Sequence, residues 1–230
     1  MAVKNFKAEV SLKEEVAKNT YRLEMSVPKG DSFDFTPGQF VNLLVAPNTR
    51  RSYSIASLPN GNGFETYANT NAGGPGSKFF ESVKVGDKVE VLGPLGKFVY
   101  TESDRPVKFF ATGTGVTPFI SMIGYALEIE KTTRPIMLFL GFRHEEDVFP
   151  KDMLDEFKKA HDNFDYEICI SKPTDEWEGR KGRITLCIVD IHEKDVDAYI
   201  CGSQGMINDV QQRLVDLGIP DDQIYYEQFY

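Results

Sequence analysis

The sequence predicts a two-part protein, in which an antiparallel β-barrel is followed by a parallel sheet covered by helices. Up to about residue 100, short strand-like runs are interrupted by Gly and Pro turns. After the polar stretch 101–106, strand-like runs alternate with helical ones, which is typical of parallel α/β folds. The segment 107–123 shows the change most clearly, since an apolar run, two glycines and helical spacing follow one another. We therefore expect one domain at 1–102 and a second at 106–230.

In the first part, apolar residues alternate with polar ones over 21–27 and, less strictly, over 83–91. Turn signals lie at 28–31, 47–49, 60–63 and 93–96. Short strands with frequent Gly and Pro turns favour a small antiparallel barrel. A short helical segment at 78–83 follows Gly73-Gly-Pro-Gly-Ser77, and Ser77 is a good N-cap residue.

The second part contains four apolar runs of strand length, and a helical segment follows the first, the second and the fourth of them. The strands are expected at 107–111, 136–142, 166–170 and 197–201, with helices near 117–131, 150–161 and 204–217 and a last strand at 223–229. This order predicts parallel strands with covering helices.

Composition narrows the function classes. With 41% hydrophobic and 27% charged residues, the 230-residue chain has an ordinary globular composition. No stretch approaches the ~18 consecutive apolar residues of a membrane span, and the opening residues lack a signal-peptide core, so we expect a cytoplasmic protein. A net charge of −9 disfavours nucleic acid as a partner. The cysteines at 169, 187 and 201 are too few and too far apart for an iron-sulfur or zinc site, so no metal is expected.

The loop Gly113-Thr-Gly115 has the features of a phosphate-binding turn. Glycine permits positive φ and a close approach of ligand to backbone, and Pro118 suits the first position of the helix that follows. The free N–H groups of such a helix start favour a phosphate or pyrophosphate. An ordinary strand–helix loop would carry the same residues.

A second informative stretch is Arg51-Ser-Tyr-Ser54. As a strand it places Arg51 and Tyr53 on one face and Ser52 and Ser54 on the other. By pattern alone, an edge strand with an exposed Arg and Tyr is a simpler explanation of this stretch than a binding site.

Six short motifs occur in a fixed order along nearly the whole chain. They are Pro-Gly-Gln-Phe (37–40), Arg-x-Tyr-Ser (51–54), Gly-Gly-x-x-Ser (73–77), Gly-Pro-x-Gly (93–96), Gly-Thr-Gly-x-Thr-Pro (113–118) and Cys-Gly-x-x-x-Met (201–206). This series resembles the ferredoxin-NADP reductase superfamily.

The resemblance implies a Greek-key β-barrel that binds FAD, followed by a Rossmann-like nucleotide-binding domain. It also implies a flavoprotein oxidoreductase that passes hydride from NAD(P)H to FAD, with nicotinamide C4 against flavin N5, and then electrons to a separate acceptor. Ferredoxin, flavodoxin or an oxygenase component are the candidate acceptors, because the chain has no cluster of its own. FMN is the alternative flavin. Two other readings are a flavin-binding electron-transfer or regulatory subunit without independent activity, and a non-redox nucleotide-binding module.

The resemblance also implies roles for residues in the flavin domain. Arg51 would pair with the flavin phosphate, Tyr53 would stack on the isoalloxazine ring and Ser54 would place its hydroxyl near N5. Backbone groups of Tyr67 to Asn69 would run beside the pyrimidine edge. Gly74, Gly76 and Ser77 would hold the diphosphate.

In the nucleotide domain, the pyridine nucleotide would bind at Gly113, Thr114, Gly115, Thr117 and Pro118, with Thr117 near the nicotinamide. Cys201 and the adjacent Gly202 would line the nicotinamide pocket, although any cysteine in such a strand can equally be a small buried hydrophobe.

Nucleotide preference would depend on Arg143, Ser171, Lys172 and Arg183, which fall where NADPH-selective relatives hold the 2′-phosphate. On charge we expect NADPH rather than NADH. Solvated surface cations would give the same pattern.

At the C-terminus, Glu227 would lie near the reaction centre and, with Ser54, manage the N5 proton. Either Phe229 or Tyr230 could cover the flavin, and a plain edge strand remains an alternative.

Overall fold

The computed structural model describes residues 2–228, apart from the side chains of Cys187, Val189 and Asp190. The chain divides into two compact units. The first unit comprises Met1–Tyr100 and Thr117–Tyr125, and the second unit comprises Thr101–Val116 and Ala126–Tyr230. These units are defined by spatial contacts and not by continuous sequence. They therefore do not test the predicted domains 1–102 and 106–230, which stay a prediction.

The first unit is built on a curled six-stranded antiparallel sheet. Its strands are β1 (Lys4–Ala17), β2 (Thr20–Ser26), β3 (Phe40–Ala46), β4 (Thr49–Ser54), β5 (Gly63–Asn69) and β6 (Lys88–Leu95), in the order β4-β3-β6-β1-β2-β5. Helix α1 (Pro75–Ser82) lies between β5 and β6 in the chain. The predicted antiparallel β fold is confirmed as a half-barrel with β4 and β5 at its two ends.

Burial along the strands follows the alternation that predicted them, with two local differences. Leu23 and Met25 of β2 are fully buried in the core. Of the valines in 83–91, however, Val83 ends helix α1 and Val85 is 62% exposed in the following turn. The helix also starts earlier than expected, since Gly74 is its N-cap and Ser77 is a buried residue within its first turn. Ser77 as N-cap was therefore wrong, because Pro75 suits a helix start.

The second unit is built on a six-stranded parallel sheet. Its strands are β7 (Val107–Thr112), β8 (Ile136–Phe142), β9 (Phe164–Ile170), β10 (Arg180–Lys181), β11 (Asp197–Gly202) and β12 (Ile224–Gln228), in the order β10-β9-β8-β7-β11-β12. Helices α3 (Lys151–Ala160) and α4 (Gln204–Asp216) follow β8 and β11. The predicted parallel α/β fold is confirmed, and the two-residue strand β10 and the 3-10 helix Ile184–Asp190 had no counterpart in the prediction.

Helix α2 (Thr117–Gly124) follows β7 in the chain but packs within the first unit. Its Phe119 ring lies 6.0 Å from the ring of Phe98. Its Met122 comes so close to Gly38 that a Cβ there would fall 2.3 Å from Met122 Cε. The helix is thus part of the first unit's core.

A buried ion cluster holds the start of the second unit together. Asp197 is fully buried, and its carboxylate accepts hydrogen bonds from Arg134 Nη2 at 2.6 Å and from Arg105 Nε at 2.8 Å. Arg134 also donates to the carbonyls of Arg105 and Thr101. The segment that precedes β7 is therefore fixed to the body of this unit.

Within residues 2–228, no helix is long and apolar enough to span a membrane.

Candidate functional site

Strand β4 presents Arg51 and Tyr53 to the start of helix α1. Because side chains alternate along a strand, these two share a face. Both lie against Gly76, where a Cβ would fall 2.4 Å from Tyr53 Oη and 3.7 Å from Arg51 Cγ. A side chain at this position would therefore have to displace the end of the Tyr53 side chain.

The N-terminus of α1 is suited to an anion. Its N-cap, Gly74, makes no side-chain cap bond, and its first turn contains no acidic residue. A Cβ on Gly74 would meet no atom within 4 Å, so the space in front of the turn is open. The exposed Arg51 forms no ion pair with any residue that the structure describes. First-turn N–H groups beside a guanidinium are the donors that a phosphate group requires.

Ser54 is the most unusual polar residue of this region. It is 2% exposed, its carbonyl accepts a hydrogen bond from Thr66 Oγ1 at 2.9 Å, and its own Oγ finds no partner among residues 2–228. An unsatisfied buried hydroxyl costs about 1–3 kcal/mol. A ligand that offers Ser54 Oγ a hydrogen bond would recover that free energy.

Tyr53 has a firmly held, neutral ring. Its ring centroid lies 4.9 Å from that of Phe80 at an interplanar angle of 49°. Burial raises the pKa of Tyr53 to about 12, against the opposing effect of the Arg51 charge. At neutral pH the phenol is therefore protonated.

Strand β5 forms the opposite end of the same sheet. The Glu65 carbonyl accepts from Ala56 N at 2.8 Å, and its N–H donates to Ser57 Oγ, so its backbone groups point away from β2. By the alternation of antiparallel strands, the backbone groups of Tyr67 and Asn69 point to that same side. Burial and the Glu65 charge raise the pKa of Tyr67 well above its ordinary value, and Asn69 Nδ2 donates to Thr20 Oγ1. Their side chains are thus engaged within the sheet.

In the second unit, the glycine loop lies where the strand order changes direction. Strand β7 has β8 on one side and β11 on the other, and such a switch point is where open parallel sheets bind ligands. Gly113 takes φ +54°, as a tight turn requires. A Cβ on Gly115 would fall 2.3 Å from the carbonyl oxygen of Cys201, so this glycine lets the loop lie against the end of β11. Thr114 belongs to the same turn.

The end of β11 carries a buried thiol. Cys201 is fully buried and stands opposite Glu227 of β12. Burial, together with the Glu227 charge, raises the pKa of the Cys201 thiol well above its usual range, so it is neutral at physiological pH. Gly202 follows at φ +156°, with Thr112 Oγ1 2.5 Å from where its Cβ would be. The loop after β7 and the end of β11 are thereby packed together without intervening side chains.

Four polar residues meet at the carboxyl ends of β8, β9 and β10. Ser171 N donates to the Phe142 carbonyl at 3.0 Å, and Lys172 N donates to the Arg143 carbonyl at 2.9 Å. Arg183 follows β10, which pairs with the end of β9. The three basic side chains are exposed and form no ion pair in the part of the chain that the structure describes.

Two neighbouring contacts order this exposed edge. Glu145 Oε1 accepts hydrogen bonds from Thr174 N at 2.9 Å and from Thr174 Oγ1 at 3.2 Å. Trp177 Nε1 donates to the Arg180 carbonyl at 3.1 Å, which makes the tryptophan a local anchor of this loop.

The structure thus gathers the expected residues into three groups. Arg51, Tyr53, Gly74, Gly76 and Ser77 meet at α1, with Ser54 close by in the chain. Gly113, Gly115, Cys201, Gly202 and Glu227 meet at the end of β7 and β11, and Arg143, Ser171, Lys172 and Arg183 meet at the edge strands. Thr117 and Pro118 begin helix α2 and are buried within the first unit. Phe229 and Tyr230 lie outside the described residues.

Sequence reasoning missed two hydroxyls that support these groups. Thr66 donates to the Ser54 carbonyl, and the buried Ser121 donates to the Ser57 carbonyl at 2.7 Å. No local pattern marks either residue, because each bond joins elements far apart in the chain.

Comparison with known proteins identifies both halves. Residues 7–100 match the model of the oxidoreductase FAD-binding domain, and residues 109–212 match that of the oxidoreductase NAD-binding domain. The chain is 32% identical over 228 residues to the toluate 1,2-dioxygenase electron transfer component of Pseudomonas putida, covering 97% of this chain and 67% of that protein. It is 32% identical over 214 residues to ferredoxin--NADP reductase B of Sorangium cellulosum, covering 87% of each chain.

Solved structures show the same fold. The Amycolatopsis cytochrome P450 reductase GcoB superposes with a TM-score of 0.92 at 24% identity, covering 99% of this chain and 70% of that one. Some curated relatives are much longer than this chain, which spans between 51% and 87% of their lengths.

Proposed function

The chain belongs to the ferredoxin-NADP reductase family of FAD- and NAD-binding oxidoreductases, and from that premise we propose that it passes electrons from NADPH through FAD to a separate protein acceptor. One observation carries the proposal: Ser54 Oγ is buried and has no hydrogen-bond partner among residues 2–228. Bound FAD supplies the redox chemistry, since it takes a hydride from the reduced nicotinamide and gives electrons to the acceptor.

The residues of the first unit fit FAD. Arg51 and the first-turn N–H groups of Gly76 and Ser77 hold the diphosphate, and the open space at Gly74 lets it reach the backbone. The ring of Tyr53, held against Phe80, gives the isoalloxazine ring an uncharged surface to stack on. Ser54 Oγ is the partner of N5, and the backbone of Tyr67 and Asn69 lines the pyrimidine edge.

The nicotinamide end of the nucleotide is assigned to residues around β7 and β11. The turn Gly113-Thr114-Gly115 and the helix start Thr117-Pro118 hold its phosphate and ribose groups, and Thr117 lies nearest the nicotinamide. Cys201 and Gly202 line the ring pocket. The neutral thiol adds no charge there, so Cys201 shapes the pocket rather than acting as a nucleophile. A role for Glu227, which pairs with Cys201, in handling the proton at N5 stays a prediction.

We assign the 2′-phosphate of NADPH to Ser171 and the unpaired cations Arg143, Lys172 and Arg183. The single tryptophan, Trp177, lies in the loop between Lys172 and Arg183 and can report binding. 2′,5′-ADP should bind at least ten-fold more tightly than 5′-ADP, about 1.4 kcal/mol, when followed by tryptophan fluorescence. In Arg183→Ser the difference in affinity between 2′,5′-ADP and 5′-ADP should become smaller, and the affinity for 2′,5′-ADP should depend less on salt concentration. Equal affinities in the parent protein would instead indicate an NADH enzyme.

The acceptor follows from the relatives. The toluate relative is named an electron transfer component of a dioxygenase, and the Sorangium relative a ferredoxin--NADP reductase. We therefore propose a ferredoxin, a flavodoxin or an oxygenase component as the electron acceptor. A cytoplasmic location stays a prediction of the sequence.

The main test is flavin reduction. The protein is loaded with FAD, kept anaerobic and mixed with NADPH or NADH while the flavin absorbance is followed. We expect rapid bleaching, slowed about 10- to 100-fold in Ser54→Ala. Ser52→Ala is the matched control, because the Ser52 hydroxyl is exposed and already bonds Asn42 Oδ1 at 2.7 Å. A chain that takes up no flavin, or whose flavin neither nucleotide reduces, would overturn the proposal.

A further inference from the structure

Ser121 is a fully buried hydroxyl that the proposed function leaves without a role. It lies in the middle of helix α2, and its Oγ donates to the carbonyl oxygen of Ser57 at 2.7 Å. Helix interiors usually leave serine hydroxyls to bond their own backbone or water. This one instead joins the helix to a loop more than sixty residues earlier in the chain.

At one end of this bond lies the proposed nicotinamide residue. Thr117 precedes Ser121 by four residues, so the two lie on the same face of α2, about 6 Å apart along the axis. Phe119 packs on Phe98, and Met122 packs against Gly38, so the helix is held on two further sides. These apolar contacts hold the helix against the core, and the hydrogen bond of 2.7 Å adds a directional restraint on its position along the axis.

At the other end lies the proposed N5 partner. Ser57 follows Ser54 by three residues, and the intervening backbone is fixed on both sides. Ile55 N donates to the Gln39 carbonyl at 3.0 Å, and Ala56 N donates to the Glu65 carbonyl at 2.8 Å. Since the Ser54 carbonyl is itself bonded to Thr66, the segment 54–57 behaves as one rigid piece.

We propose that Ser121 is a positioning residue, which sets the start of α2 at Thr117 relative to Ser54 and so the approach of nicotinamide to flavin. This inference rests on the proposed function. In the step concerned, the C4–H bond of the reduced nicotinamide breaks with its electron pair, the nicotinamide is oxidised, and an N5–H bond forms on the reduced flavin. Such transfer needs a near-attack geometry, in which a 1 Å displacement can cost ~10²-fold in rate.

The test compares Ser121→Ala with Ser121→Thr, which keeps the hydroxyl, in the FAD-loaded full chain. For Ser121→Ala we expect a flavin reduction rate at saturating NADPH at least about ten-fold lower, a weaker nicotinamide–flavin charge-transfer band and a larger deuterium isotope effect. FAD affinity and the KM for NADPH should change less than about two-fold, because no binding group is removed. Ser121→Thr should restore most of the rate and of the band.

A second measurement needs no cofactor. Amide hydrogen exchange of the flavin-free protein should quicken over 55–58 and 117–124 in Ser121→Ala and stay unchanged in Ser26→Ala. Ser26 is the control, since its hydroxyl also donates to a backbone carbonyl, that of Glu9, at 3.4 Å and away from α2. Unchanged exchange, or equal losses of rate in the Ala and Thr variants, would overturn the positioning role.

The two proposals fail differently. If the parent protein shows no NAD(P)H-dependent flavin reduction, the proposed function is wrong. If the parent is active and Ser121→Ala keeps its rate and charge-transfer band, only the role of Ser121 is wrong.

Discussion

Gly76→Ala should weaken FAD binding while leaving the protein at least as stable. The added Cβ falls 2.4 Å from Tyr53 Oη, so the end of that side chain must move by about 1 Å to reach ordinary contact. The backbone conformation at Gly76 suits alanine, because Gly76 is not among the glycines with positive φ. Alanine is also the better helix former by about 1 kcal/mol.

The expected loss of affinity follows from the two groups that the new methyl disturbs. A displaced Tyr53 ring loses a stacking contribution of about 0.5–1.5 kcal/mol. A methyl in the diphosphate turn also weakens one charge-assisted backbone bond, which contributes about 1.5–3 kcal/mol. The sum, about 2–4.5 kcal/mol, corresponds to a Kd for FAD raised roughly 30- to 2000-fold.

Two titrations measure the stability and the FAD affinity of Gly76→Ala. Urea unfolding of the flavin-free protein gives the stability, and fluorescence quenching of added FAD gives the affinity. Gly205→Ala is the matched control, because Gly205 is likewise the second residue of its helix and a Cβ there would meet no atom within 4 Å. Wild-type FAD affinity in Gly76→Ala, or a loss of stability as large as the loss of affinity, would refute the reasoning.

Three further outcomes are expected. The raised pKa of Tyr53, about 12, means that the folded protein keeps a proton which the unfolded chain releases near pH 10, so this tyrosine makes the unfolding free energy fall as pH rises from about 10 to 12. Urea unfolding at both ends of that range should show a smaller fall in Tyr53→Phe, and an identical fall would contradict the burial argument. Cys201, buried and with a raised thiol pKa, should resist iodoacetamide at about pH 8 until the protein is denatured, as read by mass spectrometry, and rapid labelling of the native protein would place the thiol on the surface. Asp197→Ala should lower the unfolding free energy by about 3–5 kcal/mol, because it leaves Arg134 buried without its carboxylate, and a loss below 1 kcal/mol would mean that the cluster is solvated. The control Asp195→Ala removes a 79% exposed carboxylate 3.9 Å from Arg105 and should cost under about 1 kcal/mol.

The fold could be predicted from sequence because burial and periodicity agree along most of the chain. Strand β8 was expected at 136–142 and is found at Ile136–Phe142, since each of its residues but one is buried and the run is continuous. Val83 and Val85 do not belong to a strand as their spacing predicted, because an apolar residue can also end a helix or stand in a turn. The two-residue β10 is too short to leave a periodic signal.

The site was predictable only where the chemistry is local. Short sequence motifs identify Arg51, Tyr53 and Gly76. Only the folded chain shows that a Cβ on Gly76 would clash with the tyrosine hydroxyl. The lack of a hydrogen-bond partner for Ser54 Oγ among the described residues depends on its surroundings in the folded chain, so a local pattern cannot predict it. The same holds for the hydrogen bond between Ser121 and Ser57. The individual cofactor roles of these residues stay predictions.

The membership of helix α2 has a consequence for recombining relatives. A crossover near residue 101 would bring in a foreign Thr117–Tyr125 together with the second half, yet leave in place the Gly38, Ser57 and Phe98 on which that segment packs. Chimeras joined near residue 101 will therefore have a mismatched core in the first unit. Stable chimeras will be those in which the helix and these three positions come from the same parent.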